Sequence, residues 1–118
     1  MKAERRASFA CICAMLVNKT THYSSVYDYG RGRYVNCSVS GSIYNFSLYD
    51  YSRSCYVSYT PNSAYDYGSA SYVSIQISGH TLSLYDYQTG SYCSVTVNGN
   101  SVSFYDYQNG QYFNFSLN

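Results

Sequence analysis

Residues 81–97 read TLSLYDYQTGSYCSVTV, and this stretch decides the fold. Polar and apolar residues alternate from Thr81 to Tyr87, Gln88-Thr89-Gly90-Ser91 supplies turn chemistry, and alternation resumes from Tyr92 to Val97. Period-two alternation on both sides of a glycine-bearing turn predicts a β-hairpin with one aliphatic face and one Tyr/Ser/Thr face. A two-residue turn at Thr89-Gly90 pairs Tyr87 with Tyr92, Asp86 with Cys93, Leu84 with Val95 and Leu82 with Val97. Working outward, the Tyr-Asp-Tyr triplet recurs around Asp28, Asp50, Asp66, Asp86 and Asp106. Each copy is followed by a further tyrosine, at Tyr34, Tyr56, Tyr72, Tyr92 and Tyr112, so 15 of the 18 tyrosines belong to one internal repeat.

The intervals between successive aspartates are 22, 16, 20 and 20 residues. All are even, so no hairpin turns its apolar set to the wrong side of a shared sheet. The inward set runs from Val35, Cys37 and Val39 through Ile75, Ile77, Leu82 and Leu84 to Phe113, Phe115 and Leu117. The expected fold is all-β: an antiparallel meander of five repeated β-hairpins, about ten short strands, over residues 23–118. Its aliphatic face is covered if the sheet closes into a barrel or a pseudo-symmetric ring of hairpins. Closure also removes the two edge strands, which otherwise offer a route to self-association between chains. Turns at Arg31-Gly32, Thr89-Gly90 and Asn109-Gly110 share a glycine, whereas Arg53-Ser54 and Ser69-Ala70 lack one and are expected to use another turn type.

Residues 1–22 form a separate compositional zone. Lys2, Arg5 and Arg6 precede an apolar run from Ala7 to Val17 and then polar Asn18, Lys19 and Thr20, the layout of a signal or export peptide. The alternative reading is a short helix packed on the domain. At about 11 residues the run is shorter than the roughly 20 needed to span a bilayer as a helix, so no transmembrane span is expected.

Charge narrows the function classes. Residues 20–118 carry three Arg against five Asp, a net of −2, and no Lys or Arg follows Arg53. A nucleic-acid binder neutralises phosphates with a basic face, and this domain has none, so that partner class is excluded. There is no nucleophile elbow, no phosphate-binding glycine loop and no imidazole beside a differentiated acid, so no catalytic residue is assigned and the chain is not read as an enzyme. His22, His80 and the five cysteines lack zinc-type spacing, so no metal or other cofactor is assigned. Cys37 and Cys93 stand where other repeats carry Ile, Val or Phe, which marks them as small buried hydrophobes.

Two sets of residues remain as candidates. The aspartates of the triplet, Asp28, Asp50, Asp66, Asp86 and Asp106, fall on the inward side next to the turn, where a carboxylate can accept the backbone N–H groups of its own turn and cap it. Closure of the sheet would alternatively gather all five at one rim, where oxygen ligands could hold a hard cation such as Ca²⁺. The outward tyrosines, with Tyr67, Tyr72, Tyr87, Tyr92, Tyr107 and Tyr112 as the candidate binding surface, can pair across strands and also stack on sugar rings or a partner protein. In style the aromatic hairpin repeat resembles the choline-binding repeats of cell-wall proteins and the Tyr-Asp repeats of large bacterial surface toxins. It lacks the Trp of the first and places its glycine farther from Asp than the second, so no binding residue is carried over.

The sequence therefore points to a non-catalytic scaffold or interaction module, with a protein or glycan partner, at the cell surface or secreted. Two alternatives stand beside it: a glycan-binding module using the tyrosine rows, and a carrier of an apolar ligand inside a β-barrel.

Overall fold

The computed structural model describes residues 1–118: ten antiparallel strands in a meander that closes into a barrel around one α-helix. The strands are β1 (Ser25–Asp28), β2 (Arg33–Ser42), β3 (Asn45–Asp50), β4 (Cys55–Thr60), β5 (Ser63–Asp66), β6 (Ser71–Ser78), β7 (Thr81–Asp86), β8 (Ser91–Asn98), β9 (Ser101–Asp106) and β10 (Gln111–Leu117). Every strand pairs with its sequence neighbours, and β1 closes on β10 with Val26 opposite Leu117 and Asp28 opposite Phe115. Both edges are thereby consumed within the chain, so the edge-to-edge association considered from sequence has no free strand to use.

The hairpin register differs from the expected one by two residues. Tyr85 lies opposite Tyr92, Asp86 opposite Ser91 and Leu84 opposite Cys93, so the connection is the four-residue loop from Tyr87 to Gly90 and not a two-residue turn. The loop is held by the Gly90 N–H donating to the Asp86 carbonyl at 2.8 Å, and Gly110 repeats the bond to Asp106 at 2.8 Å. Because the slip is even, every side chain kept its face. The expectation of another turn type at Ser54 and Ala70 is also corrected. Both take up the same left-handed conformation, φ 54° and 51°, as Gly32, Gly90 and Gly110 at the equivalent place. The loop geometry is imposed by the Asp cap and the strand register, and it overrides the local preference of these two residues at a cost of about 1–2 kcal/mol each.

The inward set is buried, with three exceptions. Val39 and Phe113 are partly buried, and Ile77, near the rim farther from the aspartates, is 50% exposed. Alternation alone assigns Ile77 inward; it pairs with Leu82 beyond the depth at which anything covers it.

What fills the barrel is α1 (Ala3–Asn18), the segment read as leader-like. Ten strands spaced about 4.8 Å apart and tilted about 40° place the wall roughly 10 Å from the axis, about the spacing at which secondary-structure layers pack. A slim helix fits that space. Ala7, Ser8, Ala10, Cys11, Cys13 and Ala14 keep α1 narrow, while Phe9, Ile12 and Met15 fill the remaining gaps, and all are buried. A helix apolar all round must be enclosed on all sides, and here one hydrophobic cluster of 28 residues joins α1 to the strands. The alternative reading of residues 1–22, a helix packed on the domain, describes their place, but within the wall and not upon it. The helix ends at Lys19 in a left-handed cap (φ 53°, ψ 47°), and Asn18 donates to the Gly99 carbonyl and to Tyr23 Oη, each at 2.8 Å, anchoring the far rim.

Ala70→Gly is expected to raise stability by about 0.5–1 kcal/mol, since relief of the left-handed strain exceeds the added chain entropy of glycine. Urea denaturation of the two proteins checks it, and the reverse change at the equivalent place, Gly90→Ala, is expected to lower stability.

Candidate functional site

Two structures repeat around the barrel: a ring of buried carboxylates at one rim, and a girdle of tyrosines outside it.

The ring is built by the hairpins. Each triplet aspartate ends its strand pointing inward, and all five are 0–2% exposed. Their two oxygens divide the work. Oδ1 accepts a backbone N–H of its own loop: Arg31 on Asp28 (3.1 Å), Ser52 on Asp50 (2.9 Å), Gly68 on Asp66 (3.0 Å), Gln88 on Asp86 (3.1 Å) and Gln108 on Asp106 (3.0 Å). In four of the five, Oδ2 turns to close cationic partners. Arg5 donates from Nε to Asp66 (2.8 Å) and from Nη1 to Asp86 (2.7 Å). Arg6 reaches Asp106 at 3.1 Å and lays its guanidinium 3.7 Å over the Phe113 ring. The Met1 amino group donates to Asp106 at 2.9 Å. Arg53 bridges Asp50 (2.8 Å) and Asp66 (3.0 Å), and the Ser8 hydroxyl donates to Asp50 at 2.7 Å. Only Asp28 lacks a close partner, with Arg31 at 4.0 Å. The N-terminus of α1 faces the ring, so its dipole adds to the neutralisation.

These contacts set the protonation of the ring. Burial pushes the carboxyls of Asp50, Asp66 and Asp106 up, but the hydrogen bonds and charges outweigh it: Arg53, Ser52 and Ser8 at Asp50, Arg5 and Arg53 at Asp66, and the Met1 amine and Arg6 at Asp106. All three are held below the ordinary carboxylate range. The Oδ2 atoms of Asp50, Asp66, Asp86 and Asp106, which a Ca²⁺ ion would need as ligands, are engaged by guanidinium and ammonium groups, and no group of three or more His, Cys, Asp or Glu converges as a metal cage. Apart from Asp28 Oδ2, the ring's oxygens hold turns and cations.

The girdle stands on the opposite face. Tyr85 packs edge-on against Tyr87 and Tyr92 with centroids 4.8 Å apart in both pairs. The same triad forms at Tyr27, Tyr49, Tyr65 and Tyr105, with centroids 4.7–4.9 Å apart. The expected direct pairs, Tyr87 with Tyr92 and Tyr107 with Tyr112, are corrected accordingly: in each triad the two rings flank a central tyrosine that touches both. The six candidate tyrosines, Tyr67, Tyr72, Tyr87, Tyr92, Tyr107 and Tyr112, are 56–67% exposed. Beside the triads lie grooves floored by serine. One, of about 490 Å³, is lined by Tyr92, Tyr107, Gln108, Ser83, Ser91 and Ser94, with Cys93 beneath. Its neighbour, of about 520 Å³, lies among Tyr85, Tyr87, Tyr92, Ser74, Gln76 and Ser83.

Sequence reasoning missed Arg5, Arg6 and Ser8 because they lie in the leader-like zone. A signal was present: five inward aspartates demand counter-charges, and the repeat supplies only three arginines. The cysteines are all free thiols. Cys37 and Cys93 are buried as expected, Cys37 with its Sγ 3.8 Å from that of Cys11 on the helix, while burial pushes the Cys93 thiol up to about 12.

Arg5→Ala is expected to cost about 3–5 kcal/mol, because it takes from buried Asp86 its close cation and leaves Asp66 to Arg53 alone; chemical denaturation measures it. Acid sensitivity follows from the lowered carboxyls. A depressed folded-state pKa stabilises fully above the unfolded value near 3.9 and loses that contribution as pH falls through the folded value. Stability is therefore expected to be flat from about pH 7 to 5 with respect to these groups and to fall steeply below about pH 4, and the fall is expected to be shallower in Asp66→Asn. Comparison with known proteins finds no family whose profile matches this chain and no curated protein similar to it.

Proposed function

We propose that this protein is a non-catalytic interaction module that presents its tyrosine girdle to a partner, at the cell surface or outside the cell. The observation that carries this reading is the fivefold tyrosine triad, in which two rings of each triad remain more than half exposed while their orientation is already fixed by the third. A ring ordered before binding loses little conformational entropy on contact, and tyrosine combines apolar area with a hydroxyl handle. The surface around it is Ser, Asn, Gln and Thr with few charges, which suits an extracellular setting by composition. The triplet aspartates are in keeping with a non-catalytic role: four of the five are engaged by close cations, and all five by their own turns.

A glycan is the second reading, favoured by the serine-floored grooves between Tyr92 and Tyr107 and alongside the Tyr85, Tyr87 and Tyr92 triad. Flat aromatic walls with hydroxyl and amide groups on the floor match the alternating apolar and polar faces of a sugar ring. The carrier reading loses its support, because α1 occupies the interior that an apolar ligand would need.

The test is a Tyr87→Ala/Tyr107→Ala protein compared with wild type on a glycan array and on immobilised extracellular-matrix and cell-surface proteins. Binding is expected to weaken at least tenfold while the barrel stays folded, since each lost edge-on contact costs only about 0.5–1.5 kcal/mol. Signal on the array selects the glycan reading; unchanged binding by the double variant overturns the role of the girdle.

A further inference from the structure

Two of the five thiols meet across the boundary between the core helix and the wall. Cys11 lies in the middle of α1 and Cys37 on β2, and their sulfurs stand 3.8 Å apart, close enough for one thiol to donate to the other. No other two cysteines are joined through sulfur in this way. Cys37 stands three residues after the last tyrosine of its repeat, a place filled by Tyr59, Ile75, Val95 and Phe115 in the other four. Packing is served there by a larger side chain in every copy except the one that meets Cys11.

The contact also makes the two thiols unequal. Their shared hydrogen bond pulls the Cys37 thiol below its ordinary value, against the opposing push of burial and of Asp50. The same bond, with burial, holds Cys11 well above its ordinary value, so Cys11 keeps its proton while Cys37 gains thiolate character. Solvent reaches only Cys37, which is 6% exposed against 0% for Cys11. An opening so narrow admits an oxidant close to water in size and excludes a bulky one. A disulfide needs its sulfurs about 2 Å apart, so the pair must close by roughly 2 Å, a distance within reach of χ1 rotation at both residues. On its own face of the helix Cys11 is flanked by Ala7 and Ala14, which leave no bulky side chain to hold it off the wall.

We propose that Cys11 and Cys37 form a redox latch, which a small peroxide converts to an intrachain disulfide that ties the core helix to β2. The Cys37 thiolate attacks one peroxide oxygen, the O–O bond breaks, and the departing hydroxide takes up the thiol proton as water, leaving a sulfenic acid on Cys37. Cys11 then attacks Cys37 Sγ; the S–S bond forms, the S–O bond breaks, and the hydroxyl leaves with the Cys11 proton as a second water. The two sulfurs give up two electrons and the peroxide receives them. The bond holds the middle of α1 in the barrel by a means separate from the Arg5 and Arg6 ion pairs at its amino end. The latch is independent of the tyrosine girdle and of the function proposed for it.

The test uses the full chain, reduced, freed of reductant and treated with millimolar hydrogen peroxide, then alkylated under denaturing conditions for intact-mass measurement and peptide mapping without reduction. The expected product has lost two hydrogens, carries a Cys11–Cys37 cross-link, and has a Tm roughly 5–15 °C above that of the reduced protein, because the bond joins residues 26 apart in the unfolded chain. Cys37→Ala is expected to abolish both the cross-link and the gain in Tm, and Cys11→Ala to leave a sulfenic acid on Cys37 that dimedone traps. Cys55, the one thiol not buried, is the internal control for plain exposure. Oxidation confined to Cys55, a cross-link between any other two cysteines, or a Cys11–Cys37 bond that leaves Tm unchanged overturns the proposal.

Discussion

The structure depends on the neutralisation of a buried ring of like charge. Five aspartates drawn to one rim of a closed barrel repel one another and carry a large desolvation cost, so the barrel can close only if cations come with it. The repeat contributes Arg53 and, more distantly, Arg31; the remainder comes from Arg5, Arg6 and the amino end of α1. The helix therefore serves two requirements at once. Its apolar body fills the barrel, and its basic end discharges the rim.

That coupling explains why both components are shaped as they are. A wall about 10 Å from the axis leaves an interior that strand side chains of the size of Val and Leu do not fill, and a bulky helix would overfill it. Small residues at Ala7, Ala10, Cys11, Cys13 and Ala14 meet the aliphatic wall, and Phe9, Phe104 and Phe115 take up the wider places. The aspartates, by capping their own loops through Oδ1, hold the loops in one geometry even where Ser54 or Ala70 must adopt a left-handed backbone. The same loops carry the second tyrosine of each triplet and so set the spacing of the girdle. Interior charge and exterior aromatic surface are two consequences of one hairpin.

Division of labour between faces also bears on function. The inward groups with chemical reactivity are largely committed: carboxylates to turns and cations, and four of the five thiols to burial. The outward groups are left available, and they are tyrosines held edge-on in a fixed array above serine-floored grooves. A surface of this kind gains contact area without ordering long flexible side chains.

Much of this was legible from residue order. The even spacing of Asp28, Asp50, Asp66, Asp86 and Asp106 determined one continuous sheet with a consistent inner face, because strand side chains alternate with period two whatever the loop length. For the same reason the faces survived a two-residue error in register, which only the loop hydrogen bonds of Asp86 and Asp106 decided. The exposed and buried candidates, tyrosines outside and aspartates inside, were likewise local properties of the hairpin. Closure between Val26 and Leu117, the exposure of Ile77 and the place of α1 were not, because each depends on what residues distant in sequence do in space. Residues 1–22 alone look like a leader; only when a ring of carboxylates and an empty barrel are brought around them do Arg5 and Arg6 become counter-ions and the apolar run become a core.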